Sequence, residues 1–400
     1  EILIGLVGSE MCIRDRDVPC LTAETLQEYA ERHTVCPFEL GLDSSLWSDV
    51  IIGDYNYLFD PVVHLVRFFE SAGDYIFLVD EAHNLPGRAR EMHSAALTKT
   101  SFYEAKKLLG KGKSSLKNAL TKVNDVFIEW RHRAEEETAA RDGRFGKTFF
   151  LKERSEEFDH LLNRLCEPLE AWLDDHREPD ETHTALLQLY FDVRAWLRVA
   201  DTFDDHFVLQ ITASGSEVRA AQLCLDPSAF LADSFALGRA AVLFSATLAP
   251  ASYYKDLCGV PEARAVALRS PFPAGNQGLF CIGNVSTRYK DRDASLAIVA
   301  ESLATMVRAH CGNYLAFFPS YAYMEQAYAQ FKEHCPEINC IKQENAMDEQ
   351  QKAAFLAQFV PGPSQSLLGF AVMGGVFGEG VDLTGDRLIG VGIVGPGLPQ

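Results

Sequence analysis

Residues Asp74–Leu85 read DYIFLVDEAHNL, and the fold turns on that stretch. The uninterrupted apolar run Tyr75–Val79 predicts a parallel strand covered on both faces, because such strands keep no polar side. It ends abruptly in Asp80 and Glu81. Two acids leaving a strand sit at the carboxyl edge of a sheet, where open α/β folds bind their ligands. The first acid suits Mg2+, which keeps several waters and bridges nucleotide phosphates. The second suits orienting or deprotonating an attacking water. His83 is placed to relay the state of that pair to a neighbouring loop. An Asp-Glu pair alone would read as a solvated turn. The strand running into Asp-Glu-Ala-His is what favours chemistry.

Working outward, a second strand-like run, Ala241–Phe244, ends in Ser245, Ala246, Thr247 and Leu248. Small hydroxyl side chains there are positioned to hydrogen-bond the carboxylates and couple them to an adjoining domain. Residues 374–388, GGVFGEGVDLTGDRL, form a third block. Its glycines allow close backbone approach, and successive N–H groups can make an anion nest. Glu379 and Asp382 suit ribose hydroxyls, a cation or a basic partner, and a plain Gly-rich turn fits equally. Segments 312–320, 338–344, 366–375 and 387–395 read as strands alternating with helices such as 321–334, which implies a parallel sheet. Ser48–Pro61 reads as a short buried strand and a loop carrying Tyr55 and Asn56. Those two side chains suit base stacking or phosphate contact, and core packing of the tyrosine fits as well. Thr25 and Glu28 form a capping-box pattern.

Between about Phe102 and Phe203 the pattern becomes helical. Leu116, Leu120, Val123, Phe127 and Trp130 recur at helical spacing, as do Phe158, Leu162, Leu165, Leu169 and Trp172. Pro168 is expected to kink or divide the second helix. Leu187, Tyr190, Trp196 and Leu197 suggest a third.

The chain has 400 residues, 47% hydrophobic and 23% charged, which excludes a predominantly disordered protein. No run long enough to span a membrane as a helix is present. A formal charge of −19 argues against a generic nucleic-acid coat, whose affinity comes from neutralising phosphates, but not against a local basic track. Lys99, Lys106, Lys107, Lys111, Lys113, Lys117 and Lys122 make one basic run. It reads as a solvated helix face slightly ahead of a single-strand track. Ten scattered cysteines without a secretory signal point to a reducing cytoplasm. Two phosphate-site look-alikes fail. Gly390, Gly392 and Gly395 are followed at once by Pro396, and LLGKGKSS at 108–115 has Lys107 where a phosphate loop needs its first glycine. Residues Glu1–Arg16 do not join smoothly to the rest and resemble read-through of a sequencing adapter, so they are set aside from fold reasoning.

In order along the chain, VCPFELGLDSSLWSDVIIGDYNYLFDP, LVDEAHNL, LFSATLAP, LAFFPSY and GGVFGEGVDLTGDRLIGVGIVGPGLP resemble the XPD/DinG-type superfamily 2 DEAH-box DNA helicases, the iron–sulfur helicase family. The resemblance implies an α/β protein with two RecA-like parallel-sheet motor domains and a helical arch-like insertion. It implies an internal fragment, with the first domain truncated at its N-terminus and the second at its C-terminus. The implied order is the tail of an iron–sulfur module at 17–50, RecA-like domain 1 at 51–100, the arch-like insertion at 101–205, the return of domain 1 at 206–255 and an incomplete domain 2 at 256–400. The implied activity is ATP-driven translocation on single-stranded or forked DNA, 5′ to 3′, in repair or replication, with ATP, Mg2+ and a 4Fe-4S cluster.

By position, Asp80 matches the Mg2+ acid, Glu81 the water-activating acid, and His83, Ser245, Ala246 and Thr247 the coupling residues. Gly378, Glu379, Gly380 and Asp382 match the block facing nucleotide and DNA, joined by Tyr55 and Asn56. Cys36 resembles the last of four cluster cysteines, a number such clusters usually need. The phosphate-loop lysine is expected before Glu1 and the arginine motif after Gln400, so the chain alone is expected not to turn over ATP. Alternatives are an RNA helicase on the same motor, a nucleic-acid-independent NTPase, and a non-catalytic scaffold with a degenerate motor fold.

Overall fold

The computed structural model describes residues 21–112, 114–140, 147–378 and 381–396, with side chains of 138–140 left aside. The readings made above for Glu1–Arg16, Lys113, Glu379 and Gly380 lie outside the described residues. The chain divides into two units, Glu1–Ala267 and Leu268–Gln400. Both hold parallel strands, as an α/β protein requires. No helix among the described residues is long and apolar enough to cross a membrane.

In the first unit, β1 (Ile76–Val79) runs parallel to β6 (Ala240–Leu243) with Ile76 opposite Ala240 and Val79 opposite Leu243. One face of this pair builds a core of Phe59, Val79, Ala82, Leu85, Ala89, Leu231, Phe235 and Cys258. The expectation that β1 is covered on both faces is corrected. Ile76 and Leu78 are 63% and 68% exposed, beside the exposed Val242. The apolar run reflects one packed face and one face over which no described element of the unit packs. The strand expected near Ser48–Pro61 is absent as well. Ile52 is 95% exposed, and the segment is irregular until the short helix Asn56–Phe59. Three apolar residues in a row carry no period, so they do not distinguish a strand from an exposed extended segment. The helix Ala23–His33 starts one turn before the Thr25–Glu28 pattern, because Thr22 Oγ1 already accepts the Thr25 N–H at 3.2 Å.

The segment read as a helical insertion is helical and sheet-bearing together. Helices Lys99–Leu108, Ser115–Ala140 and Glu181–Thr202 pack on an antiparallel sheet in the order β2-β5-β4-β3, and helix Glu156–Asp175 packs on the last two of these helices. Its strands are β2 (Ala95–Thr98), β3 (Lys147–Leu151), β4 (Phe207–Ser214) and β5 (Glu217–Cys224). The hairpin 207–224 therefore pairs with the insertion's strands and not with the parallel pair β1–β6. The sequence carried the signal. FVLQITAS alternates inward and outward, and Gly215 sits in the connecting turn with φ +60°. Pro168 does not divide its helix, which is continuous over Glu156–Asp175. The buried stripe Phe158, Leu162, Leu165 and Leu169 continues through it and offsets the single lost hydrogen bond. These side chains join Phe102, Phe127, Phe149 and Trp196 in a hydrophobic cluster that bridges helices and sheet.

The insertion is fastened to the DEAH loop through helix Leu85–Met92. Arg90 Nε donates to the Leu225 carbonyl at 2.9 Å, and the Cys224 N–H donates to Ser94 Oγ at 2.9 Å. His93, at the end of that helix, stacks flat on Phe230 with ring centroids 3.9 Å apart. Burial pushes the His93 imidazole below its ordinary value, against the opposing pull of Asp60 and the Phe59 backbone. A histidine held low binds its proton more weakly folded than unfolded. Its contribution is therefore complete above the unfolded value of about 6.5 and is lost as pH falls through the folded value. The melting temperature of this unit is expected to drop more steeply below pH 6.5 in the wild type than in His93→Phe. Identical slopes in a pH series of thermal melts would refute it.

The second unit has a four-stranded parallel sheet in the order β10-β7-β9-β8. Its strands are β7 (Asn313–Phe318), β8 (Asn339–Lys342), β9 (Leu367–Val372) and β10 (Gly390–Ile393). Each falls within a segment read as a strand. Helices Arg292–Ala309 and Tyr321–His334 cover one face with Val299, Leu303, Met324 and Phe331, and Phe355, Phe359 and Phe377 belong to a second cluster.

Candidate active site

The DEAH loop leaves β1 at its carboxyl end, and Ser245 follows β6 at the same edge, so the parallel register delivers both to one place. Ser245 Oγ donates to Glu81 Oε2 at 3.1 Å. His83 Nδ1 lies 2.8 Å from Ser245 Oγ and 3.2 Å from Glu81 Oε2. A hydroxyl has one proton. With that proton on Glu81, the short contact to His83 requires the imidazole Nδ1 to carry its hydrogen and donate to Ser245. The Thr247 N–H also donates to Ser245 Oγ, at 3.1 Å. Ser245 thus accepts twice, donates once and fixes one oxygen of Glu81. Ala246 is exposed in the same turn. Glu81, His83, Ser245 and Thr247, which lie up to 166 positions apart by number, are brought together here.

Asp80 folds one carboxylate oxygen back onto the loop, where Oδ1 accepts the Glu81 N–H at 2.7 Å. Its side chain is exposed, and Oδ2 is the hard oxygen donor that Mg2+ prefers. Glu81 has φ +44°, a left-handed conformation that costs a side-chain-bearing residue about 1–2 kcal/mol. The Ala82 N–H donates to the Phe244 carbonyl at 3.1 Å and ties this turn to the end of β6.

Tyr55 does not present its hydroxyl to an open surface. The phenol donates to the backbone carbonyls of Asp80 and Glu81, the latter at 3.0 Å. Burial, then the charges of Asp80, Glu81 and Asp54, push its ionisation above the usual tyrosine value. Asn56 sits beside it with its N–H on Asp54 Oδ1 at 3.0 Å, and its own Oδ1 is buried without a partner. Its polar end is thus engaged with the DEAH loop, and its ring packs edge-on against Phe59. Sequence inspection gave no sign of this, because the contact spans 25 positions.

In the second unit the Gly-rich turn follows β9. Gly374 has φ +70°. Gly375 leaves no room for a side chain, since a Cβ would lie 3.0 Å from both Gln343 Nε2 and the Val372 carbonyl. Its N–H donates to Val372 O at 3.1 Å, and that of Gly378 to Gly375 O at 2.9 Å. Those two donors serve the turn itself, so the anion-nest reading does not extend to them. Gln343 is a residue sequence reasoning missed. Buried, it accepts the Val372 N–H at 3.0 Å and donates to the Tyr321 hydroxyl at 2.7 Å, locking the ends of β8 and β9 to the start of helix Tyr321–His334. Arg387 was missed too. Its guanidinium spans the carbonyls of Leu356, Phe359 and Asp382 at 3.0–3.3 Å. Asp382 is exposed.

Two lysines of the basic run hold backbone carbonyls of the fold. Lys99 Nζ donates to Ser216 O at 3.0 Å, and Lys117 Nζ to the carbonyls of Gly110 and Gly112. Cys36 is exposed at the start of helix Pro37–Ser45. Among the described residues no three His, Cys, Asp or Glu side chains gather as a metal-binding group.

Comparison with known proteins brackets both motif regions. The DEAD_2 family matches residues 14–102, and the Helicase C-terminal domain family matches residues 303–400. Through these two segments the chain is similar to the XPD/CHL1-type superfamily 2 helicases. It is 21% identical over 429 residues to the ATP-dependent DNA helicase CHL1 of Coccidioides immitis, covering 94% of this chain and 49% of that protein. It is 24% identical over 376 residues to the general transcription and DNA repair factor IIH helicase subunit XPD of Schizosaccharomyces pombe, covering 76% and 48%. The chain thus spans about half the length of the curated relatives it matches. Its fold resembles the solved structure described as XPD_APO, with a TM-score of 0.50 at 18% identity over 92% of this chain and 70% of that one. The helicase family's two matched segments hold the DEAH loop in one unit and the Gly-rich turn in the other.

Proposed function

We propose that the protein carrying this chain is an ATP-dependent DNA helicase that moves along single-stranded or forked DNA, 5′ to 3′, in repair or replication in the cytoplasm. Its parts would be two RecA-like motor domains, an arch-like insertion whose sheet and helices run over about 95–224, and an iron–sulfur module ending near Cys36. The observation that carries the reading is the Glu81–Ser245–His83 network at the carboxyl edge of β1 and β6.

Asp80 Oδ2 would hold Mg2+, which supplies charge neutralisation at the phosphates. Glu81 keeps one carboxylate oxygen on Ser245 and turns the other to an attacking water, whose proton it takes. Ser245 and His83 hold Glu81 in the orientation that serves that transfer. Gly378, Glu379, Gly380 and Asp382 are proposed to face nucleotide and DNA. Names of relatives as DNA helicases and as a DNA repair factor subunit support the substrate class.

The test is ATP turnover by the gene product carrying this chain, with single-stranded DNA, with single-stranded RNA and with neither. Stimulation by DNA over RNA is the expected result. Equal stimulation by RNA moves the assignment to an RNA motor, and no stimulation by either strand overturns a nucleic-acid motor.

A further inference from the structure

We propose that Tyr55 is a positioning residue for hydrolysis: its hydroxyl pins the carbonyls of Asp80 and Glu81 and thereby holds the Glu81 carboxylate on Ser245. Glu81 stands in a left-handed backbone conformation that a glutamate does not favour, so something outside the turn has to hold it there. Inside the turn the Glu81 N–H goes to Asp80 Oδ1, and the Glu81 carbonyl accepts from Asn84. Among the described residues, Tyr55 adds the one side-chain donor that reaches both consecutive carbonyls.

Its own platform is built. Asp54 Oδ1 takes the Asn56 N–H and shapes the approach. The Tyr55 ring meets Phe59 edge-on at 6.3 Å, and Phe59 is itself buried against Phe235 at 5.4 Å. The phenol therefore projects from a packed core onto the turn, and the DEAH loop is held between it and the end of β6.

The kinetic arm of the test rests on the proposed ATPase; the exchange arm does not. Tyr55→Phe keeps the ring packing and removes only the hydroxyl. In hydrogen exchange on the folded protein, the Ala82 amide is expected to exchange about ten-fold faster in Tyr55→Phe, with Ala89 unchanged. In ATP turnover, kcat falls about ten-fold while KM for ATP stays within about two-fold, because an acid that is misplaced affects the transition state and not binding. Tyr57→Phe, two residues on, leaves both readouts unchanged.

Unchanged exchange at Ala82 overturns the proposal, even if kcat falls, because the hydroxyl then acts other than through the turn. Equal effects of Tyr57→Phe overturn it as well. Unchanged kcat in an active enzyme with faster Ala82 exchange also overturns it, because the turn then does not govern Glu81. Faster exchange where the wild-type gene product carrying this chain turns over no ATP supports the pinning of the turn and refutes the ATPase reading separately.

Discussion

Glu81→Gln in the gene product carrying this chain lowers ATP turnover about 10²–10⁴-fold, the range expected for removing a positioned general base. Glutamine is the sharpest probe because it keeps the shape. Its amide oxygen still accepts the Ser245 hydroxyl, which in the wild type donates to Glu81 Oε2 at 3.1 Å. What it loses is the ability to take a proton from water. KM for ATP is expected to stay within a few-fold, because Asp80 and not Glu81 is the proposed metal holder. Stability is expected to move by less than about 0.5 kcal/mol, since Glu81 is exposed and an exposed substitution costs little. Ser245→Ala reaches the same acid from the other side. It removes the hydroxyl donor from Glu81 Oε2 and leaves His83 Nδ1–H with the 3.2 Å contact to that same oxygen, so it should lower kcat less than Glu81→Gln does. Single-turnover assays on the two variants check the order. Turnover of Glu81→Gln within about three-fold of wild type would remove the carboxylate from the chemistry.

The second large effect lies away from the site. Phe158→Ala is expected to destabilise the insertion by about 3–5 kcal/mol. Phe158 is fully buried at the meeting point of three helices, with ring centroids 4.6 Å from Trp130, 5.4 Å from Phe127 and 5.4 Å from Trp196. Trp196 in turn donates its indole N–H to Asp159 Oδ1 at 2.8 Å, so the neighbouring ring cannot slide into the gap without breaking a buried hydrogen bond. A site that cannot collapse keeps its cavity and the full cost of it. Phe150, on β3 one residue from the buried Phe149, is the internal control. It is 51% exposed, so Phe150→Ala should cost well under half as much. Urea titrations of both variants, followed through the tryptophans, decide it. Similar midpoints for the two would mean that the aromatic cluster does not hold the insertion.

Much of the site was legible because the relevant residues lie in short contiguous words. Asp80, Glu81 and His83 fall within four positions after a strand, and Ser245 and Thr247 follow another. A strand ending in polar residues announces a sheet edge, and edges of parallel sheets are where ligands sit. The Tyr55 contact was illegible for the opposite reason. A phenol that reaches two carbonyls 25 and 26 residues away has no local signature. Gln343 and Arg387 were hidden in the same way, since both act on backbone groups of other elements. The hairpin 207–224 was legible and passed over, its alternation masked by the longer helical pattern before it.

By itself the sequence determined the elements whose pattern is local: the four parallel strands of the second unit, the helices of the insertion, and the acids that leave β1. Side-chain periodicity and strand-end chemistry are properties of neighbouring residues, so they survive without a fold. Only the tertiary structure decided which strands pair, that among the described residues one face of β1 is left exposed, that Pro168 is bridged by a packed stripe, and that a tyrosine hydroxyl meets the DEAH turn. Each of those depends on distant groups meeting at hydrogen-bond or van der Waals range, and only the folded chain sets such distances.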